Sequence, residues 1–330
     1  MTERFAMARR KVLASACILP FAGRVARGQA QWPTQPVKII LGQPAGSGSD
    51  PMVRGLATHL SAAFGQPFIV DNRPGAGGNV AAAAVAQSSD DHTLGVVLGG
   101  PTTTAKLLTA SLPYDPARDF KPISLLNRTP FVLTVHPATF PGGTFADWID
   151  RLRAQPGKFS YASIGPGTVT HLAMEEIKAK LGVDIVHVPY RGFPQATLDL
   201  IEGRVHAMFN IMSAAAEHAT TGRIAALMQT GATRMTPIKD VPTLQEAGLP
   251  TQPFFGWSGV IAPSSWPNER ANAVSKIIRD ALRTDPAARG GLDKLGAEIV
   301  GSGPAELASL QGSESERWGG VIRSLGLKPV

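Results

Sequence analysis

Ser47, Ser49 and Asp50 sit in the stretch "GQPAGSGSD" (42–50), directly after the apolar run "VKIIL" (37–41). Two hydroxyls and a carboxylate among three glycines, at the handover from a strand-like to a helix-like segment, suit three chemistries: a phosphate cradle, a nucleophile turn, or a mouth for another anion. A phosphate cradle needs G-x-x-x-x-G-K-[ST] or G-x-G-x-x-G. Neither occurs here, and no lysine follows Gly48 closely enough to meet a phosphate. A serine nucleophile on a strand-to-helix turn needs G-x-S-x-G, which is absent. The seven histidines are scattered, with no H-E-x-x-H or other ligand spacing, so no metal site is expected. Anion binding without chemistry is the reading that survives.

A second stretch repeats the pattern. "SYASIGPGTVTHLAMEEIK" places Ser163, Gly167, Thr168 and Thr170 where a helix begins, with His171 in its first turn. The first helical N–H groups have no partner within their own helix and carry a partial positive charge, which suits a carboxylate. Asp50 followed by Pro51 is a strong helix-start pair. Two such mouths far apart in sequence would grip a small acid between two domains that close about a hinge. His187, inside "DIVHVP", reads as a core histidine.

The elements that must position these mouths are short β-branched runs alternating with helical ones. Strands are expected at 37–41, 68–71, 93–98, 131–136, 160–163, 184–189, 207–211, 225–230 and 259–263, and helices at 51–64, 79–87, 144–154, 169–181 and 194–202. Buried runs separated by helices predict parallel sheets in an α/β protein. Glycine-rich turns, "GQPAGSGSD", "NRPGAGGN" (72–79) and "SIGPGT" (163–168), fall at the carboxyl ends of strands, where open α/β sheets bind ligands.

The chain has 330 residues, room for two domains, with 43% hydrophobic and 17% charged residues. Residues 1–30 differ in kind: Arg4, Arg9, Arg10 and Lys11, then an apolar stretch from Val12 to Ala22, then the small-residue end "RGQA". That order reads as a secretory signal peptide, and Arg9-Arg10 also fits twin-arginine export. Cys17 is not read as a lipoprotein site, because the apolar run before it is too short. The segment carries six basic residues and Glu3, so of the formal +7 only about +2 lies beyond it, and no nucleic-acid partner is expected. Cys17 is the only cysteine, which leaves the remainder without thiol chemistry or disulfides.

The segments "WPTQPVKIILGQPAGSGSD", "NRPGAGGN", "LPYDPARDFKPIS", "YASIGPGTVTHL", "DIVHVPYRG", "EGRVHAMF", "DVPTLQEAGLP" and "GWSGVIAP" run in an order and spacing that resembles the substrate-binding proteins of tripartite tricarboxylate transporters, the Bug family of periplasmic receptors. The resemblance covers about residues 32–330. It implies a two-domain α/β periplasmic-binding-protein fold of type II-like form with the ligand in the interdomain cleft. Domain 1 would comprise 31–131 and 254–330, domain 2 would comprise 132–253, and the chain would cross near Phe131 and Phe254. It further implies a monomeric receptor that binds a small organic carboxylate and delivers it to integral-membrane transporter subunits, with no catalysis and no cofactor. Carried over by position, the first mouth comprises Gln43, Ala45, Gly46, Ser47, Gly48, Ser49 and Asp50, with Gly78 beside it. The second comprises Ser163, Gly167, Thr168 and His171. Thr102 and Tyr190 would line the walls, and Asn210 would stand near the cleft. A secreted enzyme using Ser49, Asp50 and His171 on a small acid is the alternative, as is a receptor that serves a sensor.

The chain departs from the family's P-F-P-A-G-G: an aromatic position is Gln43 and a glycine is Ser47. An amide in place of an aromatic floor predicts a ligand with an extra polar group at that end. It makes an aromatic ligand less expected, unless other cleft residues supply the apolar wall. The usual D-G-Y-T is "DDHT" (90–93), read as a change in a surface turn.

Overall fold

The computed structural model describes residues 32–249, 251–293 and 296–329; the expected signal peptide lies outside them. The first part of the chain runs β1 (Val37–Leu41), α1 (Asp50–Phe64), β2 (Phe68–Asn72), α2 (Asn79–Ala86), β3 (Thr93–Leu98), α3 (Gly99–Thr103) and α4 (Ala105–Leu108). A 16-residue strand, β4 (Phe120–Val135), leads into the second part. There follow α5 (Phe145–Ala154), β5 (Ser160–Ser163), α6 (Val169–Leu181), β6 (Val186–Pro189), α7 (Phe193–Ile201), β7 (Ala207–Ile211), α8 (Met212–Thr220) and β8 (Ala225–Gln229). The chain then returns through β9 (Phe255–Pro263), α9 (Asn268–Thr284), β10 (Glu298–Ile299) and α10 (Pro304–Ser324).

The strands lie in the order β2-β1-β3-β9-β4-β7-β5-β6, with β8 and β10 also on β4. Parallel pairing holds for β1 with β2 and β3, and for β5 with β6 and β7. The expectation of purely parallel sheets needs correcting: β9 runs antiparallel between β3 and β4, and β4 is antiparallel to β7 and β8. The reason is topological, since β4 leaves the first sheet and β9 re-enters it without the helical crossover that parallel neighbours need. β4 belongs to both sheets: Phe120–Pro130 pairs with β9, and Phe131–Val135 pairs with β7.

The two-residue period of a strand explains why these strands are apolar throughout. Ile39 and Leu41 enter the core formed with α1 and α9, while Ile40 between them enters the core under α2. In the second part Tyr161 joins the core of Phe209, Leu172 and Trp148, and its neighbour Ala162 joins that of Leu200 and Met208. Helix α10 ties the parts together: Leu307 packs on Leu125 and Trp257, and Trp318 and Ile322 pack into the second part's core.

Both mouth-bearing helices form for local reasons. In α1 the buried Met52, Val53, Leu56, Ala57 and Leu60 make one apolar stripe, and Gly65 closes the helix in the left-handed region (φ 71°). In α6 Leu172, Ala173, Met174 and Ile177 are buried, and Gly182 (φ 63°) ends the helix in the same way.

Candidate functional site

The β1–α1 loop is a fixed scaffold held from below by Asp50. Its carboxylate accepts from Arg54 Nε (2.9 Å) and Nη2 (3.1 Å), from Asn72 Nδ2 (3.0 Å) and from the Gly46 N–H (3.2 Å). Burial pushes the carboxyl's pKa up, but these donors outweigh it and hold the group below its ordinary value. Ser49 Oγ accepts from Gln43 Nε2 at 3.3 Å, and the Gln43 carbonyl accepts from Asn72 at 3.1 Å. Ser47 Oγ is buried with no hydrogen-bond partner among the described residues. A buried hydroxyl left unpaired is costly, and this one lies at a helix start and on a cleft wall.

The β5–α6 loop is held from behind by imidazoles. Ser163 Oγ and His187 Nε2 are 2.6 Å apart, and the Gly165 N–H donates to Ser163 Oγ (3.1 Å). The Gly167 N–H donates to His171 Nδ1 (3.2 Å). His171 stacks on His187 (centroids 4.4 Å apart), and His187 stacks on Tyr161 (4.9 Å). Burial, reinforced by His171, pushes the His187 pKa down to about 4, and burial also lowers that of His171. The loop's own N–H groups are thus largely engaged, and the donors that remain toward the cleft are those of Val169 and Thr170 at the start of α6.

Between the two loops lies a cleft of about 610 Å³, within the usual range for a small-molecule site. The first part contributes Gln43, Gly46, Ser47, Ser49 and Gly78 to its wall, and the second contributes Gly167 and Thr168. Gly48 and Thr170 line it as well, while Ala45, Asp50, Thr102, Ser163, His171, Tyr190 and Asn210 stand outside the wall. Ala45 is exposed beside the cleft, and Asp50, Ser163 and His171 support the loops as described. Thr102 is buried, with its hydroxyl donating to the Gly99 carbonyl (3.2 Å). Tyr190 donates to Asp199 (2.6 Å). Asn210, fully buried, donates to Thr197 Oγ1 (3.1 Å) and so positions a residue that does line the cleft. Ser49, Asp50 and His171 are each engaged separately, with Gln43, Arg54 and the Gly167 amide, and form no nucleophile–base relay.

Several wall residues escaped the sequence reading. Arg191 follows β6 at its carboxyl end, the same position relative to a strand that marked the other loops. Phe131, Phe193, Phe255, Trp257 and Trp318 line the cleft, and Glu314 stands among them. Arg191 and these come from β6's edge, β4, α7, β9 and α10, so no local motif marks them.

The two sides touch across the cleft. Thr104 Oγ1, after α3, donates to the Gly167 carbonyl at 2.9 Å. Gly165 (φ 123°) lies against Gly77, where a Cβ at Gly165 would come 3.0 Å from the Gly77 nitrogen. Only glycine suits that conformation and that approach.

The receptor profile of the tripartite tricarboxylate transporter family matches residues 52–327. The chain belongs to that receptor family. BugT of Bordetella pertussis is 31% identical over 299 residues, covering 90% of this chain and 91% of BugT. A protein of the tcbD-tcbE intergenic region of Pseudomonas sp. is 34% identical, covering 95% and 94%. Among solved structures, R. palustris Rpa4515 with adipate superposes with a TM-score of 0.83 at 33% identity, covering 91% of this chain and all of that one. MatC of Rhodopseudomonas palustris with bound malate gives 0.81 at 29%, covering 88% and 99%. The receptor is therefore of the two-domain periplasmic-binding-protein fold, and its family and neighbours are solute-binding proteins.

Proposed function

We propose that this receptor captures a small organic carboxylate between its two domains in the periplasm and delivers it to the integral-membrane subunits of a tripartite tricarboxylate-type transporter. One observation carries the reading: helix starts from both halves of the chain face one cleft, and the buried Ser47 hydroxyl there lacks a partner among the described residues. A carboxylate oxygen supplies the missing acceptor, and the unpaired N–H groups at the helix starts hold the charge. Adipate in one structural neighbour and malate in another support the ligand class. The domain boundaries proposed are those where β4 changes partners at Phe131 and where β9 begins after Phe254, so that closing turns about these two crossings. The protein acts as a monomer, without cofactor and without chemistry on its ligand.

The test is a melting-temperature screen of the purified protein against organic acids. A ligand at 100-fold excess over Kd stabilises by about 2.7 kcal/mol. If no acid in a panel spanning aliphatic and aromatic mono- and dicarboxylates shifted the transition, the receptor reading would fall. Delivery is checked by uptake of the identified acid in cells with and without the receptor, and export by N-terminal sequencing of the periplasmic form.

A further inference from the structure

Away from the helix starts the cleft wall sets five aromatic side chains among hydroxyl and amide groups such as Asn127, Thr129, Thr197 and Ser213. Phe131 and Phe193 stack, with centroids 6.1 Å apart and planes at 30°. Phe193 and Phe255 are half-buried at the cleft, while Phe131, Trp257 and Trp318, each no more than 4% exposed, back the wall from the cores. The indoles are fixed, not merely present. Glu314 accepts from Trp318 Nε1 at 2.9 Å and from the Trp257 side chain. Gly99 makes room for the Trp257 ring, since a Cβ there would lie 2.8 Å from it. The wall's charge is sparse: Arg191 is its only Lys or Arg among the described residues, set against the acids Glu217 and Glu314.

This lining is a poor match for a short aliphatic diacid. Such a ligand has charge at both ends and little apolar surface, so the rings of Phe193 and Phe255 would strip its water and return little. A flat apolar body is different, because offset stacking and edge contacts against fixed rings add to the burial of its surface. With one guanidinium and two acids on the wall, the cleft also favours a single negative charge over two or three.

We propose that the ligand is an aromatic monocarboxylate, its carboxylate at the Ser47–Ser49 helix start and its ring against Phe131, Phe193 and Phe255. This rests on the receptor reading above and narrows it. The wall also answers the expectation drawn from Gln43: the aromatic floor missing at that position is supplied from β4, α7 and β9.

Calorimetric titration of the purified protein with benzoate, cyclohexanecarboxylate, adipate and malate tests it. Benzoate is expected to bind at least tenfold more tightly than adipate or malate, and more tightly than the non-planar cyclohexanecarboxylate. Phe193→Leu, which keeps apolar bulk but removes a ring, should erase most of benzoate's advantage; Phe193→Ala serves as the stronger variant, and melting curves check that both fold. If adipate or malate bound as tightly as benzoate, or if Phe193→Leu weakened every acid equally, the aromatic assignment would be overturned while the receptor reading stood. If no acid bound, both would fall.

Discussion

Ser47 separates binding from stability at the scale of one atom. Its hydroxyl is buried without a partner among the described residues, so the ligand-free fold gains nothing from it. Ser47→Ala should leave the melting temperature of the free protein unchanged or slightly raised, since the uncompensated group is gone. Carboxylate affinity, measured by titration, should fall by about tenfold to a hundredfold, the equivalent of one hydrogen bond to a charged group at about 1.5–3 kcal/mol. A variant that lost stability and affinity together would show that the hydroxyl supports the loop instead. Asp50 is the opposite case. It reads from the sequence as a site residue but lies outside the cleft wall, its carboxylate accepting from Arg54, Asn72 and Gly46 and so holding the loop in shape. Gln43 stands between the two, on the wall yet donating to Ser49.

At the scale of elements, the β5–α6 loop depends on a neutral imidazole. His187 on β6 is held well below its ordinary value of 6.5, at about 4, chiefly by burial and then by His171 and Lys178, with Glu175 acting in the other direction. The unfolded chain therefore binds this proton more readily than the native one. Its contribution to stability is complete above pH 6.5 and is lost as the pH falls toward 4, by up to about 3 kcal/mol. His187→Gln should flatten the pH dependence of urea midpoints across that window; an unchanged slope would remove His187 from the account.

The same scale shows what the sequence could and could not tell. Strands buried on both faces and bounded by glycine turns were legible, with 37–41, 93–98, 160–163 and 207–211 found as expected. The amino-terminal half of β4 was not, because Pro122, Pro130 and the polar Asn127, Arg128 and Thr129 before the second proline read as a break. The strand tolerates them through register shifts against β9 between Pro122 and Ser124 and between Leu125 and Asn127. The two loops of the candidate site were legible because a helix start is a local signal. Phe131, Phe193, Phe255, Trp257 and Trp318 were not, because only the folded chain brings them to one cleft.

At the scale of the whole molecule, the Thr104 hydroxyl spans the two sides through the Gly167 carbonyl. That bond exists only while the sides are together, so it weighs on the balance between open and closed forms. Thr104→Val keeps the shape and leaves the carbonyl unpaired on closing. It should cost about 1 kcal/mol of closure, a roughly fivefold shift toward the open form. Small-angle scattering of the free protein should then report a larger radius of gyration, and ligand affinity should drop by a similar factor. Equal radii for variant and parent would show that the bond does not govern closure.

The place of β9 between β3 and β4 also sets an order on folding. Until Phe255–Pro263 is in its slot, the strands on either side carry unpaired edges, and the first sheet cannot close. The elements from α5 to β8 are all made earlier and wait on no later strand. A chain cut short before Phe255 would keep the Ser47 loop in its sequence yet expose two long apolar edges, the kind of surface on which unfinished chains find one another. Completion of the cleft is thus deferred to the last quarter of the chain, and a chain truncated before Phe255 is expected to aggregate, which its soluble yield would check.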